Sequence, residues 1–304
     1  MMVRSMRRGR GAALILVLWL VASLSLVVMA SARSVRQQSQ RAATDLERMR
    51  VETMLDAAIE LAAQRLLTDR NVANVYSLQR LPLDGKDVWV EITPSGGLVD
   101  VNVASDALLQ TLFQRAAGLS AGEAVILTSR VRDYLDPDDS PSGVGGAEAP
   151  QYRATGWPSM PRNGALDDLS ELRSVLGMTS GLYEIIAPHL GINGQQRIEI
   201  DSAPPALIDA LTGQKGLGAR IHNSPPETRG GALMTGPAAD FFSPARGGGT
   251  TVRLKAAMKL EGERWWQREA WVDLSERPGN LTPWTMLSLE PTRRLNTQEQ
   301  EFKP

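Results

Sequence analysis

This chain of 304 residues contains no cysteine. That single absence excludes thiol nucleophiles, cysteine-zinc sites and disulfides together. Histidine is nearly as scarce. His189 and His222 are the only two, far apart and in dissimilar contexts, which fits surface or packing histidines rather than an imidazole metal centre. Neither sign of charge is in excess: 33 basic and 34 acidic side chains leave a formal net charge of −1. No global field therefore points to nucleic acid or to acidic surfaces. The glycine-rich stretches Gly143–Gly146 and Gly247–Gly249 lack the Lys-Ser/Thr of a phosphate loop and do not match G-x-G-x-x-G followed by a helix.

What is present begins with the first 33 residues. A basic head carrying Arg4, Arg7, Arg8 and Arg10 is followed by Gly11 and by the run Ala12–Ala32, which has no ionisable side chain. As a helix that run rises roughly 31 Å, about the thickness of a bilayer's hydrocarbon core. The arginines before it predict a cytoplasmic N-terminus, with the rest of the chain across the membrane. A secretory signal peptide is the competing reading, because Ala30-Ser31-Ala32 resembles a signal-peptidase site. The following residues bear on the choice. From Ser34 to Asp69 there is neither proline nor glycine, and Val35, Ala42, Leu46, Met49, Leu55, Ile59, Ala62 and Leu66 fall near helical spacing. One helix from about Ala12 to Asp69 is expected, on the order of 85 Å long. An apolar segment that continues as the same element favours retention over removal.

Alternation at Asp87–Thr93 and again at Leu98–Val103, around the turn cluster Pro94-Ser95-Gly96-Gly97, predicts a hairpin. Helices are expected over Ser105–Ala117, Ser120–Tyr134, Leu166–Leu176, Gly181–Pro188 and Pro204–Leu211, with a loop from Asp136 to Gly164. VDVNVASDALLQTLFQ from Val99 and IEIDSAPPALIDALTG from Ile198 share a layout of strand, polar break with Ser105 or Ser202 as N-cap candidate, and helix. Arg197–Asp201 reads as a strand and Gly213–Gly249 as loop. Strands close the chain at Thr250–Leu260, Arg264–Leu274 and Thr285–Leu289, the first two joined by Glu261-Gly262-Glu263. Trp265, Trp266, Trp271 and Trp284 are expected to fill a sheet face.

The acidic loop is the one concentrated constellation. Asp133, Asp136, Asp138 and Asp139 lie close together, and Glu148 follows a glycine-rich stretch. Carboxylates without His or Cys suit a hard cation, and a flexible multi-carboxylate loop suits calcium better than magnesium. The spacing is not that of an EF-hand, and a solvated acidic loop is the plain alternative. Paired carboxylates also serve hydrolases, but no sugar platform or defined second carboxylate is evident. The junction DVNVASDALL has the layout of helix-hairpin-helix modules that hold a phosphate at a helix N-terminus. The basic residues and G-x-G hairpin that such a module needs are not in place there, and no nucleic-acid partner is expected.

The basic leader ending in glycine, the apolar helix continuing as an amphipathic one and the downstream strands together resemble type IV pilin-like proteins. Gly11-Ala12 then matches the cut made by prepilin peptidase. In that family the fifth residue after the cut is normally glutamate; here it is Leu16. That departure, with RDYLDPDDSP, LDDLSELRSVLGM and IEIDSAPPALIDAL in order, resembles the minor pseudopilin K family of type II secretion systems. The resemblance implies an α+β, type IV pilin-like fold: a long N-terminal helix on an antiparallel sheet, with a large inserted α-helical domain. The implied organisation is a leader at 1–11, a membrane half-helix at 12–32 and a periplasmic half-helix at 33–70. The first part of the sheet takes 71–103, the insert 104–196, the completing helix and strands 197–291, and a polar tail 292–304. It further implies a non-enzymatic subunit at the tip of the pseudopilus, partnered by minor pseudopilins I and J, processed by prepilin peptidase and held in the inner membrane. Calcium in the insert is also implied, with Asp136, Asp138, Asp139 and Glu148 as ligands and Asp133 beside them. The alternative is an exported, soluble, carboxylate-dependent hydrolase released after Ala32.

Overall fold

The computed structural model describes residues 10–69, 73–233, 236–244, 249–260, 264–275 and 283–295, with side chains for all of these except 10–12 and 32–36. The leader arginines Arg4, Arg7 and Arg8, the connection Glu261-Gly262-Glu263 and the end of the tail lie outside the described residues. The chain divides into two units, Met1–Met54 and Leu55–Pro304.

In the first unit a single element dominates. Helix α1 runs Arg10–Thr68 without a break, as the absence of Gly and Pro after Gly11 predicts. Ala13–Ser31 is apolar enough to span a membrane, with a mean hydropathy of 2.7 and none of it buried. Ser23 and Ser25 do not spoil it, because their hydroxyls donate back to the carbonyls of Trp19, Leu20 and Val21. This is how such residues are satisfied within a helix in lipid.

The second unit begins with the remainder of α1. Leu55, Ala58, Ile59, Ala62 and Leu66 are buried at helical spacing, each Leu or Ile worth roughly 2–3 kcal/mol. Asp56 on the same turns pairs with Arg268 of the sheet at 3.1 Å. The sheet is antiparallel, ordered β1 (Ser77–Leu83), β2 (Lys86–Pro94), β7 (Thr251–Leu260), β8 (Arg264–Asp273), with β9 (Thr285–Leu289) and β10 (Arg293–Arg294) sharing the far edge of β8. Val88, Val90, Ile92, Leu254, Ala256 and Val272 form its buried alternation.

Two sequence expectations fail in this sheet. The hairpin partner of β2 is β1, through Asp84-Gly85, not Leu98–Val103. β1 escapes the alternation test because it is an edge strand containing Pro82, with only Leu81 buried. Of Leu98–Val103, only β3 (Val99–Asp100) is strand, and it pairs in parallel with β4 (Leu190–Gly191). Ser95–Gly97 forms a buried 3-10 turn between them. The tryptophans also divide: Trp265 and Trp271 lie on one face of β8 and Trp266 on the other, by the period of two.

Between β3 and β7 the chain is helical. Helices α2 (Asp106–Arg115) and α3 (Ala121–Leu135) form where expected, started by Ser105 and Ser120. Glu123 returns the bond to Ser120 and completes a capping box. The Asp136–Gly164 loop contains an unforeseen helix, α4 (Ala149–Thr155), opened by Pro150 and stopped by the left-handed Gly156. Leu166–Leu176 is shorter and tighter than expected: a 3-10 segment, Leu169–Ser174, capped by Asp168. α5 (Ser180–Ile186) follows.

The strand at Arg197–Asp201 reduces to β5 (Ile198–Glu199), parallel to β6 (Phe242–Ser243). α6 (Pro205–Thr212) is started by Pro204, not by Ser202, whose hydroxyl donates instead to the carbonyl of Asn74 and to Glu199. Gly213–Gly249 is not plain loop. It holds α7 (Leu217–His222), α8 (Pro226–Arg229), a 3-10 turn and β6, short elements whose turn-rich composition hides them. One hydrophobic cluster runs from Val99 to Phe242, so the helical core continues beyond position 196. α2 and α6 pack together within it, which places the two similar strand-to-helix segments side by side.

Candidate functional site

The acidic site is assembled at the C-terminal end of α3. Pro137 disfavours the helical conformation at the residue before it, and Asp136 turns out into extended backbone while its N–H still bonds Arg132 O. Asp133, one turn earlier, points into the core and is fully buried. Its Oδ1 accepts from the backbone N–H of Ser142 at 2.9 Å and from the Ser142 hydroxyl, and its Oδ2 accepts from the N–H of Ala147. A loop of the same chain thus folds around one carboxylate. Gly146 is required in that loop, because a Cβ there would stand 2.4 Å from Asp133 Oδ2 and 2.3 Å from the Ser142 carbonyl. Arg130 secures the other side, donating to Gly145 O and to Leu176 O.

The loop delivers Glu148 to the N-terminus of α4. Glu148 is fully buried, and neither of its carboxylate oxygens has a hydrogen-bond partner; Asp136 Oδ1 is likewise buried and unpartnered. Carboxylate oxygens of Asp136, Asp138 and Glu148 all lie within 4.8 Å of one another. Burial, then Asp133, Asp136, Asp139 and Asp138 in turn, push the Glu148 carboxyl up to about 7. Burial and the charges of Asp138 and Asp133 also raise Asp136. Orphaned buried oxygens that repel one another form an arrangement a divalent cation relieves. Their spread is one that an ion with oxygen ligands at about 2.4 Å can bridge, so the donor set fits calcium.

The residues singled out in sequence therefore separate. Asp136, Asp138 and Glu148 come together. Asp139 is exposed and outside the trio, reaching it through its charge alone. Asp133 has its oxygens occupied by the loop and organises the site from behind. Neither His189 nor His222 joins the trio. Gly11 and Ala12 lie in the first turns of α1, and Leu16 is exposed on its apolar stretch.

One hairpin was not foreseen. At the start of α7, Gly216-Leu217-Gly218 with Lys215 and Arg220 supplies the G-x-G and basic residues that the first junction lacks. Its amides are already taken: Asp209 accepts from the N–H of Gly216 at 2.5 Å and of Gly218 at 2.7 Å. A carboxylate of the chain itself stands where a phosphate would be held.

Residues 71–193, from before β1 to just past β4, match the family profile described as type II secretion system (T2SS), protein K. The acidic loop lies inside the match. That segment is similar to type II secretion system protein K. The type II secretion system protein K of Pectobacterium carotovorum subsp. carotovorum is 28% identical over 206 residues, covering 60% of this chain and 62% of that protein. The protein K of Klebsiella pneumoniae is 25% identical over 215 residues, covering 64% of this chain and 66% of its own length. The chain thus matches slightly less than two thirds of these relatives. A chain in the crystal structure of the GspK-GspI-GspJ complex from the enterotoxigenic Escherichia coli Type 2 Secretion System superposes with a TM-score of 0.52 at 16% identity. That superposition covers 84% of this chain and 98% of the other. The fold is shared: an N-terminal helix, an antiparallel sheet and a large helical region.

Proposed function

We propose that this chain is a non-enzymatic minor pseudopilin of a type II secretion system, placed at the tip of the pseudopilus, where it primes assembly and supports protein export across the outer membrane. The observation that carries this reading is α1. Its apolar span passes without a break into the helix that packs on the sheet, so removing the span would cut a continuous element. In this reading prepilin peptidase cuts between Gly11 and Ala12, leaving the span as a single-pass inner-membrane anchor. The N-terminus is cytoplasmic and the bulk of the chain periplasmic.

Leu16 supports the tip position. A carboxylate in lipid is costly unless paired, and the topmost subunit has no neighbour above whose amine requires one. The helical region between β2 and β7 supports it too, as bulk that stops further subunits from stacking. The likeness to a chain of a GspK-GspI-GspJ complex makes minor pseudopilins I and J the expected partners. Calcium, held by Asp136, Asp138 and Glu148, would neutralise the trio and tie the end of α3 to the start of α4.

Mass spectrometry of the mature chain tests the reading. A chain beginning at Ala12 and N-methylated is expected, recovered in a complex with I and J after detergent extraction. A chain beginning at Arg33 in the soluble fraction overturns it.

A further inference from the structure

The sequence contains two Asn-Gly pairs, Asn163-Gly164 and Asn193-Gly194, and the fold treats them in opposite ways. Such pairs are chemically reactive. The backbone nitrogen of the glycine can attack the asparagine side-chain carbon, because glycine has no Cβ to hinder the approach or to restrict the backbone rotation it needs.

Asn193 is tied down at every atom that would react. Its Nδ2 donates to Ser95 O and Leu98 O, and its Oδ1 accepts from the N–H of Gln195. The attacking nitrogen is held as well, since the N–H of Gly194 donates to Asp100 Oδ2 at 2.7 Å. Asn163 is exposed in the loop before the 3-10 segment, at a φ of +55°. Its side chain is held by one long bond, from Nδ2 to Asp138 O at 3.4 Å. The N–H of Gly164 has no hydrogen-bond partner among the described residues. A Cβ on Gly164 would meet nothing within 4 Å, so the Asn163–Gly164 peptide has room to rotate and carry its nitrogen to the side-chain carbon.

We propose that Asn163 is a site of spontaneous deamidation, with water as the co-reactant. The Gly164 nitrogen bonds to Asn163 Cγ and the Cγ–Nδ2 bond breaks; ammonia leaves with the proton that the Gly164 nitrogen gives up. Water then opens the cyclic imide at either carbonyl, its hydroxyl going to carbon and its proton to nitrogen. One opening leaves aspartate, and the other leaves an isoaspartyl link that runs the backbone through the side chain. Either product ends the bond to Asp138 O. Each also adds a negative charge next to Asp138, a member of the acidic trio whose charges already repel one another.

Peptide mapping by mass spectrometry tests this, on the full chain in detergent held in warm, mildly alkaline buffer. Aspartate and isoaspartate are expected at 163, while Asn193 keeps its amide. In denaturant, which frees the Gly194 N–H, both positions should convert at similar rates. Gly164→Ala, whose methyl meets open space in the fold but hinders the attacking nitrogen, should lose most of the conversion at 163. No conversion at Asn163, or equally fast conversion at Asn193 in the folded chain, overturns the proposal. Aspartate without isoaspartate also overturns it, because that product marks direct hydrolysis rather than attack by Gly164. If circular dichroism shows that Gly164→Ala does not fold, the comparison of folded and denatured wild type decides alone.

Discussion

Glu148 should govern how the stability of the ion-free protein depends on pH. Its carboxyl is pushed from its ordinary 4.5 up to about 7, by burial first and then by Asp133, Asp136, Asp139 and Asp138. The folded protein therefore holds this proton more tightly than the unfolded chain does. Below about pH 4.5 both states are protonated and the group costs nothing. Between about 4.5 and 7 the unfolded chain ionises first and stability falls; above 7 the loss is complete. At about 1.4 kcal/mol per pH unit the full loss is roughly 3 kcal/mol, and screening by solvent around Asp138 and Asp139 reduces it to about 1–3 kcal/mol. In a unit of this size that is several degrees of melting temperature, at about 2–4 °C per kcal/mol. Near-ultraviolet circular dichroism of the full chain in detergent with chelator, from pH 5 to 8, reads it. The wild-type midpoint should fall across that window, while Glu148→Gln, which cannot ionise, keeps only the smaller slope due to Asp136. At pH 8 the variant should be the more stable of the two without metal, and calcium should reverse the order. Parallel pH profiles for the two proteins, or equal calcium responses, refute the reasoning.

Asp133→Asn should behave differently, because it replaces the acceptor of Ala147 N–H in a buried loop. A loss of about 1–3 kcal/mol is expected with and without calcium, measured by denaturant titration; a loss confined to the calcium-bound form would make Asp133 a ligand. Asp209→Ala uncaps Gly216 and Gly218 and should cost about 1–2 kcal/mol, with faster amide exchange at those two positions. Unchanged protection there would show that the hairpin does not depend on that carboxylate.

The parts of the fold legible in sequence were those with a long, clean period. α1, β7 and β8 each run far enough for spacing to declare them. β3, β4, β5 and β6 are two residues each, too short for any period, and their parallel partners lie many residues away. The composition of the site was legible too: carboxylates near a helix end without His or Cys. The division of labour was not, since what separates Asp133 from Asp136 is who donates to it. Those donors, Ser142 and Ala147, come nine and fourteen residues later, in a loop whose path no local pattern records. Leu16 shows the opposite case. It is one more apolar residue by period, and only the cut proposed after Gly11 would give its position a meaning.

The register Pro94↔Val252 to Val88↔Met258 has a consequence for the order of folding. β1–β2 and β7–β8 are local hairpins, able to form as soon as each is free. Joining them must wait for everything between residues 95 and 250, which makes β2–β7 the slow, non-local step. The helical core can shorten that wait by folding first. Asn193 donates to Ser95 O and Leu98 O, and Ile200 N–H bonds Ser243 O, so its folding gathers both margins of the gap before the strands meet. The region between the strands then serves the sheet as a very large preformed turn, and a chain stalled before that core is complete exposes the open edges of β2 and β7 to one another's copies in neighbouring molecules.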